Sequence, residues 1–193
     1  MGGGNAELLQ AVLTLCQTGD LMGAATLSRD ALKEDPDNWE FLHLLAVTLN
    51  EAGLADQALP FLQRCLAIRG ADSSLLFNYG VVLRKISRFH EAARAFRHAA
   101  DASPERFDCW FNLGESSHQL GHLDEAVKAL SKARDIEPEN PDVWYLSPYE
   151  FVTHWEPQLL SYPLSLQSRN DPRHHVDLTD EGAQKMKARR HNP

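Results

Sequence analysis

The sequence predicts an all-α protein built from stacked repeats. The 193-residue chain aligns with itself four times at a spacing of 34 residues without a gap. Apolar residues recur three and four positions apart, and glycine or proline recurs at fixed places in each copy. A fixed period of this length is typical of arrays in which each unit buries its apolar face only against its neighbours. We therefore expect four units, 5–38, 39–72, 73–106 and 107–140.

Each unit is predicted to contain two helices joined by a short turn. In the third unit, for example, Phe89, Ala92, Phe96 and Ala99 follow the spacing of one buried helix face. The expected helices are 6–18, 21–34, 39–52, 55–69, 73–86, 89–102, 107–120 and 123–136.

The turn between the two helices is indicated by glycine. Gly19, Gly53 and Gly121 stand where a residue in the left-handed conformation closes the first helix. Ser87 replaces glycine in the third unit, so the sequence predicts that turn less clearly.

Prolines mark the boundaries between units. Pro36, Pro104 and Pro138 each disfavour a helical conformation in the residue before them, while Gly70 stands at the second boundary. Pro60 conflicts with the pattern because it falls inside a predicted second helix. Since proline lacks the backbone donor, we expect a bend or a late helix start there.

Small residues recur where the two helices of a unit must cross. Ala24, Ala58, Ala92 and Ala126 are equivalent, and we expect each to be buried at a close helix contact. Cys65 stands at another position that alanine fills in the other units, which predicts a buried small apolar group.

The repeated positions resemble the tetratricopeptide repeat, or TPR, a helix-turn-helix unit of about 34 residues. The fourth unit reads Trp110, Leu113, Gly114, Ser117, Ala126, Leu130, Ala133 and Pro138, and the third reads Leu76, Tyr79, Gly80, Leu83, Ala92, Phe96, Ala99 and Pro104. The resemblance covers about residues 5–140 and implies a TPR-type α-solenoid, a right-handed superhelix whose first helices line a concave groove.

The same resemblance implies which side chains would contact a ligand in that groove. Asn78 and Asn112 are one period apart and resemble the asparagine ladder that holds peptide backbone in longer TPR superhelices. The predicted groove residues are His43, Leu44, Val47, Asn50, Glu51, Phe77, Asn78, Val81, Arg84, Lys85, Phe111, Asn112, Glu115, His118 and Gln119.

The charge distribution bears on the partner. The chain has a net charge of -8, which argues against nucleic-acid binding because phosphates must be neutralised by cations. The third unit is different, since six Lys and Arg residues outnumber three acids there. The expected partner is a protein or peptide, and a basic face of this kind could orient an acidic one.

Composition and motifs favour a cytoplasmic protein without catalytic chemistry. The three cysteines show neither disulfide nor zinc spacing, which is typical of a reducing compartment. The N-terminus lacks the features of a signal peptide, and we expect no membrane association. No phosphate-binding glycine loop occurs, and His174 and His175 have no metal-binding frame around them. We expect no cofactor, no metal and no catalytic residue.

The pattern changes after the fourth unit. Residues 141–156 begin like a fifth unit and then predict a short helix that caps the array, starting at Ser147 and Pro148. Residues 157–193 read as an irregular tail with a possible short helix at 179–190.

The sequence therefore predicts a non-catalytic interaction module that binds a peptide or helix of a partner protein in its groove. The alternative is a substrate-recruiting or regulatory N-terminal TPR arm of a larger enzyme, for example a glycosyltransferase or sulfotransferase. Self-association through the repeat ends is also possible if the segment after the fourth unit does not cap it.

Overall fold

The computed structural model describes residues 3–142, which form eight α-helices in four antiparallel pairs. The helices are α1 Gly3–Gln17, α2 Leu21–Glu34, α3 Trp39–Glu51, α4 Ala55–Arg69, α5 Ser73–Lys85, α6 Phe89–Ala102, α7 Phe107–Gln119 and α8 Leu123–Ile136. Each pair packs on the next through α2 and α3, α4 and α5, and α6 and α7. The prediction of an all-α array of helical hairpins is confirmed, and most helix ends differ from the predicted ones by at most one residue.

The turns inside the units form as predicted. Gly19, Gly53 and Gly121 have φ angles of 82°, 79° and 72°. Ser87 adopts the same left-handed conformation, with φ of 62°. In all four turns the N–H of the next residue donates to a carbonyl five residues back, which closes the end of the first helix. The serine turn therefore has the same hydrogen-bonding pattern as the glycine turns.

The unit boundaries follow the prolines. Helices α2, α6 and α8 each end immediately before the residue that precedes the boundary proline. Those pre-proline residues have φ of -132°, -142° and -129°, outside the helical range. At the second boundary α4 ends at Arg69, and Gly70 continues the chain with φ of 78°.

Pro60 does not delay the start of its helix, so that part of the expectation was wrong. Helix α4 begins at Ala55 and continues through Pro60 to Arg69. Proline removes one backbone hydrogen bond, while the buried Ala58 and Leu62 beside it pack into the core of the array. That packing holds the helix together across the missing bond.

The small residues are buried as predicted. Ala24, Ala58 and Ala92 are 0% exposed and Ala126 is 3% exposed. Cys65 is also fully buried, with its Sγ 3.4 Å from the carbonyl oxygen of Trp39. Burial raises the pKa of this thiol to about 11, so it behaves as a neutral apolar group at physiological pH.

The two helices of the third and fourth units are in tight contact at a glycine. A Cβ added to Gly80 would lie 2.7 Å from the ring of Phe96, and one added to Gly114 would lie 2.5 Å from Cγ of Leu130. Both distances are shorter than carbon atoms tolerate, so these positions have room only for a hydrogen.

The described part ends at the start of the predicted fifth unit. Asn140 Oδ1 accepts a hydrogen bond from the backbone N–H of Asp142 at 3.0 Å, much as Asn38 caps α3. The chain divides into two units, Met1–Val143 and Trp144–Pro193. The predicted capping helix within 141–156, the irregular tail 157–193 and the helix 179–190 lie outside the described residues.

Candidate functional site: the first-helix face

The predicted groove residues occupy equivalent positions on first helices that lie side by side. Helices α1, α3, α5 and α7 contact one another in order. We call the surface formed by the fifth, sixth, ninth, twelfth and thirteenth residues of the four units the first-helix face. Three polar contacts join predicted groove residues of different units across this face. These contacts link units two, three and four.

The first contact joins His43 on α3 to Asn78 on α5. The side-chain nitrogens Nε2 of His43 and Nδ2 of Asn78 lie 2.7 Å apart. Burial lowers the pKa of His43, although the negative charge of Asp72 acts in the opposite direction. The imidazole is therefore neutral at pH 7, and Nε2 can accept a hydrogen bond from the Asn78 amide.

The other two contacts involve charged residues. Lys85 Nζ donates to the backbone carbonyl of Asn50 at 2.9 Å, which connects α5 to α3. Arg84 forms an ion pair with Glu115, which connects α5 to α7. Within the described part of the chain, Asn50 Oδ1 and Arg84 Nε are buried and have no hydrogen-bond partner. The predicted groove charges thus bind mainly to the array itself.

The two predicted ladder asparagines have different environments. Asn78 is half-buried and contacts the neighbouring unit, whereas Asn112 is only 8% exposed. The Asn112 amide donates to the carbonyl oxygen of Asp108 in its own helix at 2.8 Å. Because it is nearly fully buried, Asn112 offers less to a ligand than Asn78 does.

Apolar side chains are exposed between these polar contacts. Leu44, Val47 and Val81 are half-buried, as are Phe77 and Phe111. The Phe77 ring packs against the Phe96 ring with centroids 5.7 Å apart. The Phe111 ring stacks on Phe107 at 5.5 Å. The Arg106 guanidinium also lies over the Phe77 ring, 4.9 Å from its centroid. Each aromatic ring is thus fixed by its neighbours and remains partly exposed.

The prediction omitted the first unit from the groove, although α1 has the equivalent positions. Leu9 and Leu13 stand at the fifth and ninth positions of that unit. Leu13 is 40% exposed, among the most exposed large apolar side chains in the described residues. The repeat register could have identified both leucines, because they align directly with His43 and Val47.

The remaining predicted residues lie at the ends of the first helices. Glu51, Lys85 and Gln119 are exposed, and His118 is half-buried. These residues place polar groups at the C-terminal ends of the first helices, at one end of the apolar positions.

Most cations of the third unit are paired with acids. Arg88, the N-cap residue of α6, forms an ion pair with Glu91 in the first turn of that helix. Arg97 and Arg106 pair with Glu125 and Asp108 of the fourth unit. The basic residues that suggested an acidic ligand therefore contribute largely to contacts within the array.

Residues 3–142 contain no group of three or more His, Cys, Asp or Glu side chains placed to hold a metal ion. In the same range, no helix combines the length and the apolar character needed to cross a membrane.

These features define a helical-repeat protein of the kind that serves as an interaction scaffold. The sequence profile of the tetratricopeptide repeat matches residues 15–76 and 87–147. The chain belongs to the tetratricopeptide-repeat family.

A curated relative and solved structures agree with this assignment. The chain is 30% identical over 109 residues to the BBSome complex member bbs-4 of Caenorhabditis elegans, an alignment that covers 56% of this chain and 24% of the relative. A crystal structure of MamA protein superposes with a TM-score of 0.70 at 24% identity, covering 75% of this chain and 79% of that one. MamA of Desulfovibrio magneticus RS-1 gives 0.65 at 22% identity, covering 69% and 75%. The structural likenesses establish the fold.

None of these relatives supports the alternative of an enzyme arm. Their names describe a complex member and MamA proteins, and none names an enzyme. Family and fold together point to a non-catalytic repeat protein. The chain spans about a quarter of the length of the curated relative that it matches.

Proposed function

We propose that this protein is a non-catalytic interaction module that binds a peptide or helix of a partner protein on its first-helix face. The observation that carries the proposal is the continuity of this face. Side chains of units two, three and four contact one another directly through His43 and Asn78, Lys85 and the Asn50 carbonyl, and Arg84 and Glu115. A ligand along the face would meet one fixed surface that spans three units.

The apolar side chains of this face supply the binding surface. Half-buried Val47, Val81 and Phe77 would each lose further solvent contact when a ligand covers them, which favours association. The relative named as a BBSome complex member is consistent with a role within a multiprotein assembly. Self-association of this chain is a further possibility that the same family architecture allows.

The preference for an acidic partner stays a prediction. Structural support for it is limited, because Arg84 is neutralised by Glu115 and Lys85 is hydrogen-bonded to a backbone carbonyl. If the preference holds, captured peptides should be rich in Asp and Glu, and their binding should weaken as salt concentration rises. We also place the protein in the cytoplasm in this proposal, since its three cysteines are free thiols.

A pull-down from a peptide library tests the groove. The test variant combines Val47→Asp with Val81→Asp, which puts two charges on the first-helix face. The control is Ile68→Asp on α4, outside this face, where the side chain is 41% exposed. Captured peptides should bind the unchanged chain and the control equally and should lose binding to the double variant. Equal capture by all three proteins would refute the proposal.

A further inference from the structure

We propose that the occupant of the first-helix face is an amphipathic helix of a partner protein, held by its apolar side, rather than an extended peptide held by its backbone. This inference rests on the proposed function above and specifies the class of ligand. Three features support it: the hydrogen-bond partners of the polar groups on the face, the spacing of its apolar groups and the net charge of the array.

The two asparagine amide nitrogens best suited to an extended backbone are already engaged. The Asn78 amide lies against His43 at 2.7 Å, and the Asn112 amide donates to the Asp108 carbonyl at 2.8 Å. An extended peptide that took over these contacts would exchange one bond for another of similar strength, which yields little net free energy. A ligand whose backbone is internally hydrogen-bonded needs no such exchange, and an α-helix satisfies its own backbone.

The apolar groups of the face form a row with regular spacing. Leu13, Val47 and Val81 stand at the ninth position of units one, two and three, on neighbouring helices. Helices in contact have axes about 8–10 Å apart. Seven residues of an α-helix span about 10.5 Å, so residues at i, i+7 and i+14 can meet successive members of the row.

An extended strand does not match this spacing. Its side chains on one face recur about every 6.6 Å, which falls out of register after one unit. The row also has a defined end, because the ninth position of unit four is Glu115, paired with Arg84. A ligand helix of about fifteen residues, or four turns, would cover the row from Leu13 to Val81.

Charge favours a helix with a basic polar side over the acidic ligand that the third unit suggested, because most cations of that unit are paired with acids. Residues 1–140 contain 20 acids and 13 bases, a net charge of -7. The charges on the face itself, Glu51, Arg84, Lys85 and Glu115, sum to zero. A basic polar side would be drawn by the array as a whole and would not meet a strong local repulsion.

Four synthetic peptides with a fluorescent label test the inference on the full chain. The first is a 21-residue helix with leucines at heptad spacing and lysine and glutamine on the other side. The second has the same composition with scrambled leucine positions, the third carries proline at its centre, and the fourth has glutamate in place of lysine. Binding is measured by fluorescence anisotropy, and the gain of helix on binding by circular dichroism.

The first peptide should bind at least tenfold more tightly than the second and third and should gain helix in the complex. The fourth should bind more weakly than the first. In the protein, Leu13→Asp combined with Val81→Asp should weaken binding of the first peptide at least tenfold. Ile68→Asp should leave it unchanged, and it is a matched control because Leu13 and Ile68 are 40% and 41% exposed. Asn78→Ala combined with Asn112→Ala should change the affinity less than twofold.

Two outcomes overturn the inference while leaving the groove intact. Either the proline peptide binds as tightly as the helix, or the asparagine pair matters more than the apolar pair. A dimer of the full chain that excludes the first peptide from the face would also overturn it, because a second copy would then be the occupant. If the first-helix face binds no ligand at all, the result differs from these outcomes, because library peptides would then bind every variant equally.

Discussion

Ser87 occupies the turn position that glycine holds in the other three units, and its φ is 62°. A left-handed conformation costs a residue with a Cβ about 1–2 kcal/mol, and glycine avoids that cost. The turn nevertheless closes with the same backbone hydrogen bonds as the others. The surrounding helices therefore impose a conformation that serine by itself disfavours.

Replacing this serine should stabilise the protein. Ser87→Gly removes the steric cost but adds flexibility to the unfolded chain, and we expect a net gain of about 0.5–1 kcal/mol in the free energy of unfolding. The reciprocal change Gly53→Ser, at a turn with φ of 79°, should lower it by a similar amount. Chemical denaturation of both variants measures the two effects. A Ser87→Gly protein less stable than the original would contradict this account.

Two buried positions of the unit hold residues of complementary size. The eighth position of the unit holds Val12 in the first unit and Gly80 in the third. The twenty-fourth position, where the Phe96 ring lies against Gly80 in the third unit, holds Ser28 in the first. All four residues are buried. A larger residue in one helix is thus accompanied by a smaller one in the other. The repeat pattern predicted burial at these positions, but only the packing explains which member of each pair is small.

At the scale of the helix, α4 tolerates a proline as its sixth residue. Interior proline is about 3 kcal/mol less favourable than alanine because it removes one hydrogen bond and crowds the preceding turn. Pro60 is itself exposed, so its ring adds little to the core. The helix persists because its other side is buried against the neighbouring units.

Pro60→Ala should therefore raise the free energy of unfolding by about 2 kcal/mol, after allowing for the more flexible unfolded chain. Thermal unfolding followed by circular dichroism checks this expectation. Pro36→Ala serves as the comparison, because Pro36 lies in a boundary loop where its rigidity helps folding. That variant should be slightly less stable than the original. A loss of stability in Pro60→Ala would show that proline contributes a contact of its own.

At the scale of the whole array, Glu125 connects three helices. Its carboxylate pairs with Arg97 of α6 and accepts a hydrogen bond from Ser117 of α7 at 3.1 Å. Burial acts to raise the pKa of Glu125, but the bonds from Arg97 and Ser117 and the nearby charges bring it below its ordinary value of 4.5. The third and fourth units are thus joined by an ionised group.

This arrangement predicts a pH dependence. Because the folded pKa is depressed, the stabilisation is fully present above pH 4.5 and is lost as the pH falls through the folded value. Glu125→Gln should lower the free energy of unfolding by about 1 kcal/mol at pH 7, and the difference should shrink below pH 4.5. Denaturation curves at pH 7, 5, 4 and 3 measure it.

The control for this prediction is Glu91→Gln. Glu91 also has a lowered pKa, owing first to its hydrogen bond with Arg88, but both residues lie in the third unit. Its loss should destabilise the protein less than the loss of Glu125, because no contact between units is broken. An equal effect of both changes would mean that Glu125 acts only as a surface charge.

The sequence predicted the positions of the candidate site but not the contacts between its side chains. The repeat register identified positions such as Asn78 and Val81 on neighbouring first helices. It did not show that the Asn78 amide would contact His43, or that Asn112 would turn toward its own helix. The first contact joins side chains 35 residues apart in the sequence, and the second depends on which way the Asn112 side chain turns within its own helix.

The sequence by itself determined the helices, the turns and the unit boundaries. Each of these follows from local conformational preference and from a periodic apolar pattern, such as glycine at positive φ or proline after an extended residue. Only the tertiary structure decided which polar side chains bind the array and which apolar ones remain exposed. Hydrogen-bond partners are selected by proximity in three dimensions, and no local pattern in this chain encodes that proximity.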